Sequence, residues 1–165
     1  MISTTVDGLV NEKIRREDVF DCVVYIVRDA DLVLYVGKSE ANVVDRLLSH
    51  IGEGDFGWTG TSSLGRLIKA NMPESGDWQI ELLTPEECLS IIEQSFAYRR
   101  GTSPDGSACV IVGETTLSDG STFVDKIRIN DVVGLESMLI VLYKPCLNVI
   151  GNQIPTPLPE RYWRH

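Results

Sequence analysis

Apolar and polar positions change period between residues 23 and 51, and the change predicts two strands followed by a helix. Val23, Val24, Tyr25, Ile26 and Val27 form an unbroken β-branched and aromatic run, the make-up of a buried strand. Residues 28–31 (RDAD) are a polar connection of hairpin length, and 32–36 (LVLYV) a second apolar strand that Gly37 ends. From Ser39 the apolar residues Val43, Val44, Leu47, Leu48 and Ile51 recur at helical spacing. They share one helix face, with Arg46 and His50 together along its edge.

The remaining chain reads in the same way. Ser62 or Ser63 caps a short helix with Leu64, Leu67 and Ile68 inward. Residues 73–77 break the chain, and 78–83 (WQIELL) alternate as a third strand. Thr84-Pro85-Glu86-Glu87 combines an N-cap, a first-turn proline and a capping box, starting a helix expected to reach about Arg100. Its Arg99-Arg100 end suits the helix C-terminal dipole. Residues 101–130 are read as an inserted β-hairpin: a turn at 103–106, a strand at 108–112, a turn at 118–121 and a returning strand at 123–129. Asn130 or Asp131 caps a last helix over 132–143, which Lys144-Pro145 ends. The flanks are an N-terminal arm or helix, 1–21, whose charged run EKIRRED reads as a solvated face, and a proline-rich, partly ordered tail, 151–165.

Composition narrows the class. At 165 residues, 43% hydrophobic, the chain is one globular domain with a core. No apolar run reaches membrane-spanning length. Cys22, Cys88, Cys109 and Cys146 lie far apart with no metal or redox spacing, which predicts a reduced, cytoplasmic protein. The net charge of −9 excludes a general DNA-coating role, because non-specific phosphate binding needs a basic surface. Most of the excess acid lies in the first hundred or so residues, and from Gly106 onward the balance is only −1.

Glu136 is the sharpest single chemical signal. A helical wheel surrounds it with Val132, Val133, Leu139 and Ile140, the heart of an apolar face. A carboxylate there costs several kcal/mol unless it is paired, hydrogen-bonded or bound to metal. Its residue context leaves open a structural salt bridge, just as Tyr25 and Tyr35 by themselves suit two packing tyrosines.

Val23-Val24-Tyr25 and Tyr35-Val36-Gly37 resemble the two half-motifs of the GIY-YIG nuclease family, with Val23-Val24 standing for the usual Gly-Ile. Arg46 matches the family's helical arginine, Glu136 its distant glutamate and Asn148 its asparagine, in the expected order. The resemblance covers about 22–150, with the insertion at 101–130. It implies an α+β fold: a small, three-stranded, mainly antiparallel sheet flanked by helices. A histidine at position 50 is similar to the restriction-endonuclease branch.

The resemblance also implies a divalent-metal-dependent endonuclease that hydrolyses DNA phosphodiester bonds. Glu136 would hold Mg²⁺ or Mn²⁺, ions that keep most of their waters and need few protein ligands. Arg46 would hold the non-bridging phosphate oxygens, and Tyr25 or Tyr35 would orient or deprotonate the attacking water. Lys38 is the expected cation for lowering the Tyr25 phenol, and His50 the expected proton acceptor or hydrogen-bond partner of a tyrosine. Asn148 would orient the site. Arg66 and Lys69 are weaker candidates for nucleic-acid contact. RNA and branched DNA are alternative substrates, and cutting both strands would need a homodimer or two encounters. The rival reading is a catalytically weak binding or regulatory module on the same scaffold, acting through a protein partner.

Overall fold

The computed structural model describes residues 1–52 and 62–163. Among the described residues there are seven strands: β1 (Ile2–Thr5), β2 (Val24–Asp29), β3 (Leu32–Lys38), β4 (Gln79–Leu83), β5 (Arg99–Thr102), β6 (Ala108–Thr116) and β7 (Thr122–Arg128). The helices are α1 (Val6–Val10), α2 (Val43–Ile51), α3 (Ser63–Ala70), α4 (Pro85–Phe96) and α5 (Val132–Tyr143). The α+β class agrees with the sequence. The main sheet does not, having four antiparallel strands in the order β1-β4-β2-β3 where three were expected. The extra strand is the N-terminus, pairing Ile2 with Leu82 through Thr5 with Gln79. The charged run after it is mostly exposed. Val6 and Leu9 are buried, so residues 1–21 are not simply an exposed arm.

Alternation along β2 splits the core in two. Tyr25 and Val27 face α1, α2 and α3 together with Leu34, Leu47, Leu64 and Leu82. Val24 and Ile26 face α4, α5 and the second sheet together with Val36, Leu89, Leu135 and Val110. The β2–β3 hairpin turns on Ala30 (φ 51°) and Asp31, tighter than the four-residue connection expected. Its register pairs Tyr25 with Gly37 and Val27 with Tyr35, then shifts so that Arg28 meets Val33. Leu34 is thereby the extra residue of a β-bulge, and Leu34 and Tyr35 pack toward the same side as Tyr25.

Edge strand β3 is covered by the segment after α5. Cys146 N–H donates to Val33 O at 3.2 Å and Leu147 N–H to Leu34 O at 3.0 Å. Asn148 continues the line with its side chain, accepting from Val36 N–H at 2.9 Å and donating to Val36 O at 2.7 Å. A covered edge cannot pair with another chain.

Where a hairpin is expected after α4, the chain forms a three-stranded antiparallel sheet, β5-β6-β7. Helix α4 stops at Phe96, where Ala97 takes a left-handed conformation (φ 54°), so Arg99 and Arg100 lie in β5 instead of ending a helix. Arg100 turns back to α4, paired with Glu86 and Glu93 at 3.0 Å each. The tail packs back on the chain through Tyr162. Tyr162 is buried, its ring edge-on to Trp78 at 5.7 Å, and its hydroxyl donates to Asp29 at 2.5 Å. Among the described residues no helix is long and apolar enough to cross a membrane. Phe56, Trp58, Arg164 and His165 lie outside the described residues.

Candidate active site

Tyr25 is fully buried, and the end of its ring occupies the space that a side chain at position 37 would fill. A Cβ built on Gly37 would sit 2.4 Å from both Cζ and Oη of Tyr25. Glycine at 37 therefore makes the seat for the phenol. Tyr35 stands beside it, ring centroids 6.1 Å apart, held on the same side by the bulge.

Helix α2 supplies the next groups. Asn42 caps it by accepting from Val44 N–H at 3.0 Å, and Val43, Val44, Leu47 and Ile51 anchor it inward. Arg46 and His50 follow one another along its flank, as the spacing predicts. Arg46 is exposed at the cavity mouth, whereas His50 is buried between the tyrosine rings and α3. His50 Nε2 is 2.9 Å from Tyr25 Oη, and Nδ1 is 2.8 Å from Ser62 Oγ, the hydroxyl that caps α3.

Glu136 comes from α5 and is half-buried. The buried stripe of α5 is Leu135, Leu139 and Ile140, while Val133 is 54% exposed, so Glu136 stands at the border of the apolar face and not at its heart. Apolar residues surround this helix on nearly every side, which made the buried face unreadable from a wheel. Tyr25, Tyr35, Lys38, Ser39, Glu40, Ala41, Arg46 and Glu136 line one cavity of about 440 Å³. A second cavity of about 430 Å³ shares Tyr35 and Glu136 and is also bounded by His50, Ser62 and Asn148. Arg66 and Lys69 are on the exposed face of α3 and line neither cavity.

Burial governs protonation here. It raises the Tyr25 phenol well above the usual tyrosine range, with Tyr35 adding to the effect and Arg46 opposing it. Tyr35 is raised for the same reason, with Glu136 adding to the rise. The cation acting on the Tyr25 phenol is thus Arg46 rather than the expected Lys38, and burial outweighs it. His50 is lowered to about 4 by burial and then by the Arg46 charge, so it is neutral at pH 7. Burial also raises Glu136, against the Lys38 charge, the Lys38 backbone N–H and the Arg46 charge. Lys38 itself is paired with Glu40 at 3.0 Å across the cavity mouth.

The geometry joins Tyr25, Tyr35, Arg46, His50 and Glu136, with Lys38 at the rim. Asn148 acts one layer away, gripping the backbone of Val36 between Tyr35 and Gly37. Sequence reasoning missed Ser39, Glu40 and Ser62. Ser62 was recognised only as a cap, and nothing in its spacing from His50 signals their contact. Among the described residues no cluster of three or more His, Cys, Asp or Glu side chains could enclose a metal. No family model, curated protein or solved structure matches this chain.

Proposed function

We propose that the chain is a divalent-metal-dependent endonuclease that hydrolyses DNA phosphodiester bonds at a site of GIY-YIG type. The observation carrying this reading is a shared cavity, in which two phenols from paired strands, a guanidinium from α2 and a carboxylate from α5 converge. Packing alone requires no such meeting. Arg46, planar, always charged and open to solvent, holds the non-bridging oxygens as negative charge builds on the phosphate. Lys38 offers a second cation once phosphate competes with Glu40. Tyr25 and Tyr35 are protonated at neutral pH, so neither is a ready phenolate. A water proton taken up by Tyr25 leaves only if the Tyr25 proton moves on to His50, 2.9 Å away.

The donor set fits a hard cation that needs few protein ligands. Glu136 joins none of the salt bridges among the described residues, and its carboxylate faces the cavity with part of its hydration removed. Mg²⁺ or Mn²⁺, when bound by Glu136, supplies Lewis-acid polarisation of the phosphate and stabilises the departing 3′-oxygen.

Plasmid nicking with Mg²⁺ or Mn²⁺, with EDTA, and with Glu136→Ala is the direct test. Wild-type cleavage that both controls abolish is the expected result. Burial disfavours the Glu136 charge at pH 7, so Glu136→Ala should unfold at the same or a higher temperature, separating lost chemistry from lost fold. The net charge of −9 favours a second reading, a binding or regulatory module facing a protein partner. Failure to cut plasmid, single-stranded, branched or RNA substrates would favour that reading instead. One site per chain makes a single-strand nick the expected product of each encounter, and a homodimer the route to a double-strand cut.

A further inference from the structure

Ser62 touches two things at once. Its Oγ accepts from Gly65 N–H at 3.0 Å, capping α3, and lies 2.8 Å from His50 Nδ1. His50 Nε2 in turn lies 2.9 Å from Tyr25 Oη. The chain of three side chains has an opening at each end. Tyr25 borders the first cavity, and His50 and Ser62 border the second. Among the described residues, the groups around His50 are Tyr25 from β2, Tyr35 from β3, Arg46 from α2 itself and Ser62 from the start of α3, with Glu136 of α5 on the wall of the second cavity.

A hydroxyl has one proton to donate and two lone pairs, and neutral imidazole has one donor and one acceptor nitrogen. Gly65 occupies one lone pair of Ser62. Two consistent arrangements remain. Either Tyr25 O–H donates to Nε2, Nδ1–H donates to Ser62 and the Ser62 proton points outward, or Ser62 O–H donates to Nδ1, Nε2–H donates to Tyr25 and the Tyr25 proton points into the first cavity. We infer that Ser62 is a positioning residue that completes a neutral proton relay, Tyr25 to His50 to Ser62, carrying the water proton from the first cavity to the second. This rests on the endonuclease reading and adds to it the route by which the proton departs.

The step balances without any charged intermediate on the protein. The attacking water loses a proton to Tyr25 Oη as the Tyr25 proton passes to Nε2. Nδ1 releases its proton to Ser62 Oγ, and the Ser62 proton passes to solvent in the second cavity. His50 ends as the other neutral tautomer, and the reverse transfer that resets it takes a proton from the second cavity and returns one through Tyr25 to the first, where the departing 3′-oxygen accepts it. Such a relay suits an imidazole too deeply buried to hold a second proton at pH 7. A buried histidine acting as a simple base would have to become charged, which this site opposes.

Ser62→Asn separates capping from relaying. Asparagine caps helices as well as serine does, and its amide can donate to Nδ1, but it passes no proton on. The expected result is a turnover number lower by about 10²-fold with KM little changed, and recovery of most activity by Ser62→Thr. The solvent isotope effect should show a curved proton inventory in wild type and a linear one in Ser62→Asn. Wild-type turnover in Ser62→Asn, or a linear inventory in wild type, overturns the relay. A second readout needs no catalysis. The chain has two histidines, so a ¹⁵N spectrum assigned with His50→Gln reports the His50 tautomer directly. Shifts averaged over both tautomers in wild type, collapsing to Nε2–H in Ser62→Asn, support the relay even if no substrate is cut. A single tautomer in both proteins overturns it.

Discussion

Replacing Gly37 with alanine should damage the site through one contact. The added methyl would lie 2.4 Å from Cζ and Oη of Tyr25 and 2.7 Å from Cε2, where ordinary contact begins at 3.4 Å. The ring must therefore withdraw by about 1 Å, yet Tyr25 is 0% exposed and packed among core side chains that must shift with it. Overpacking of this kind costs about 1–3 kcal/mol. The withdrawal also pulls Oη from His50 Nε2, now at 2.9 Å, past hydrogen-bond reach, adding about 1 kcal/mol. Gly37→Ala is thus expected to lose about 2–4 kcal/mol of stability in urea unfolding followed by tryptophan fluorescence. Misplacing a reacting group by 1 Å costs about 10²-fold in rate, so single-turnover nicking should fall by that order. A variant within about 0.5 kcal/mol of wild type that nicks at the wild-type rate would refute the claim that glycine is there to seat the phenol.

Two further perturbations probe the support of the site. Asn148→Ala strips partners from the Val36 N–H and C=O at a buried edge, so urea unfolding should show a loss of about 2–4 kcal/mol, and no loss would mean water replaces the side chain. His50 has a native value of about 4 against an ordinary 6.5, so the folded state holds fewer protons between those pH values. Its contribution is present above pH 6.5 and lost as pH falls toward 4, by about 2 kcal/mol once solvent screening at the second cavity is allowed for. Unfolding of wild type and His50→Gln between pH 8 and 4 should show the wild-type advantage shrinking by that amount. A constant difference would mean that His50 is not held neutral.

Legibility from sequence followed the range of the interactions. The β2–β3–α2 unit was readable because period and capping act within a few residues: β-branched runs, a polar turn and an i, i+3, i+4 stripe are local facts. Arg46 and His50 were readable as neighbours for the same reason. The N-terminal strand was not, because Ile2–Thr5 is short and becomes a strand only through β4, some 75 residues away. The helix that starts at Thr84 is expected to reach about Arg100, but Ala97 adopts a left-handed turn and β6 recruits Arg99 and Arg100 as a strand edge. Such pairing has no signature in the segment itself.

Within the site the same division holds. By itself the sequence determined the inventory: two tyrosines on adjacent strands, a guanidinium and an imidazole one helical turn apart, and an acid on a helix otherwise apolar. Spacing along the chain dictates each of these. Which way Tyr35 points depends on a bulge at Leu34, which puts two consecutive residues on one side of β3 and so brings the second phenol beside the first. Whether His50 is acid, base or relay depends on how deeply α2 is covered and on a serine that α3 brings to Nδ1. These were decided only by tertiary structure, because side-chain direction in an irregular strand and the water left around a titrating group are set by what packs on them from elsewhere in the chain.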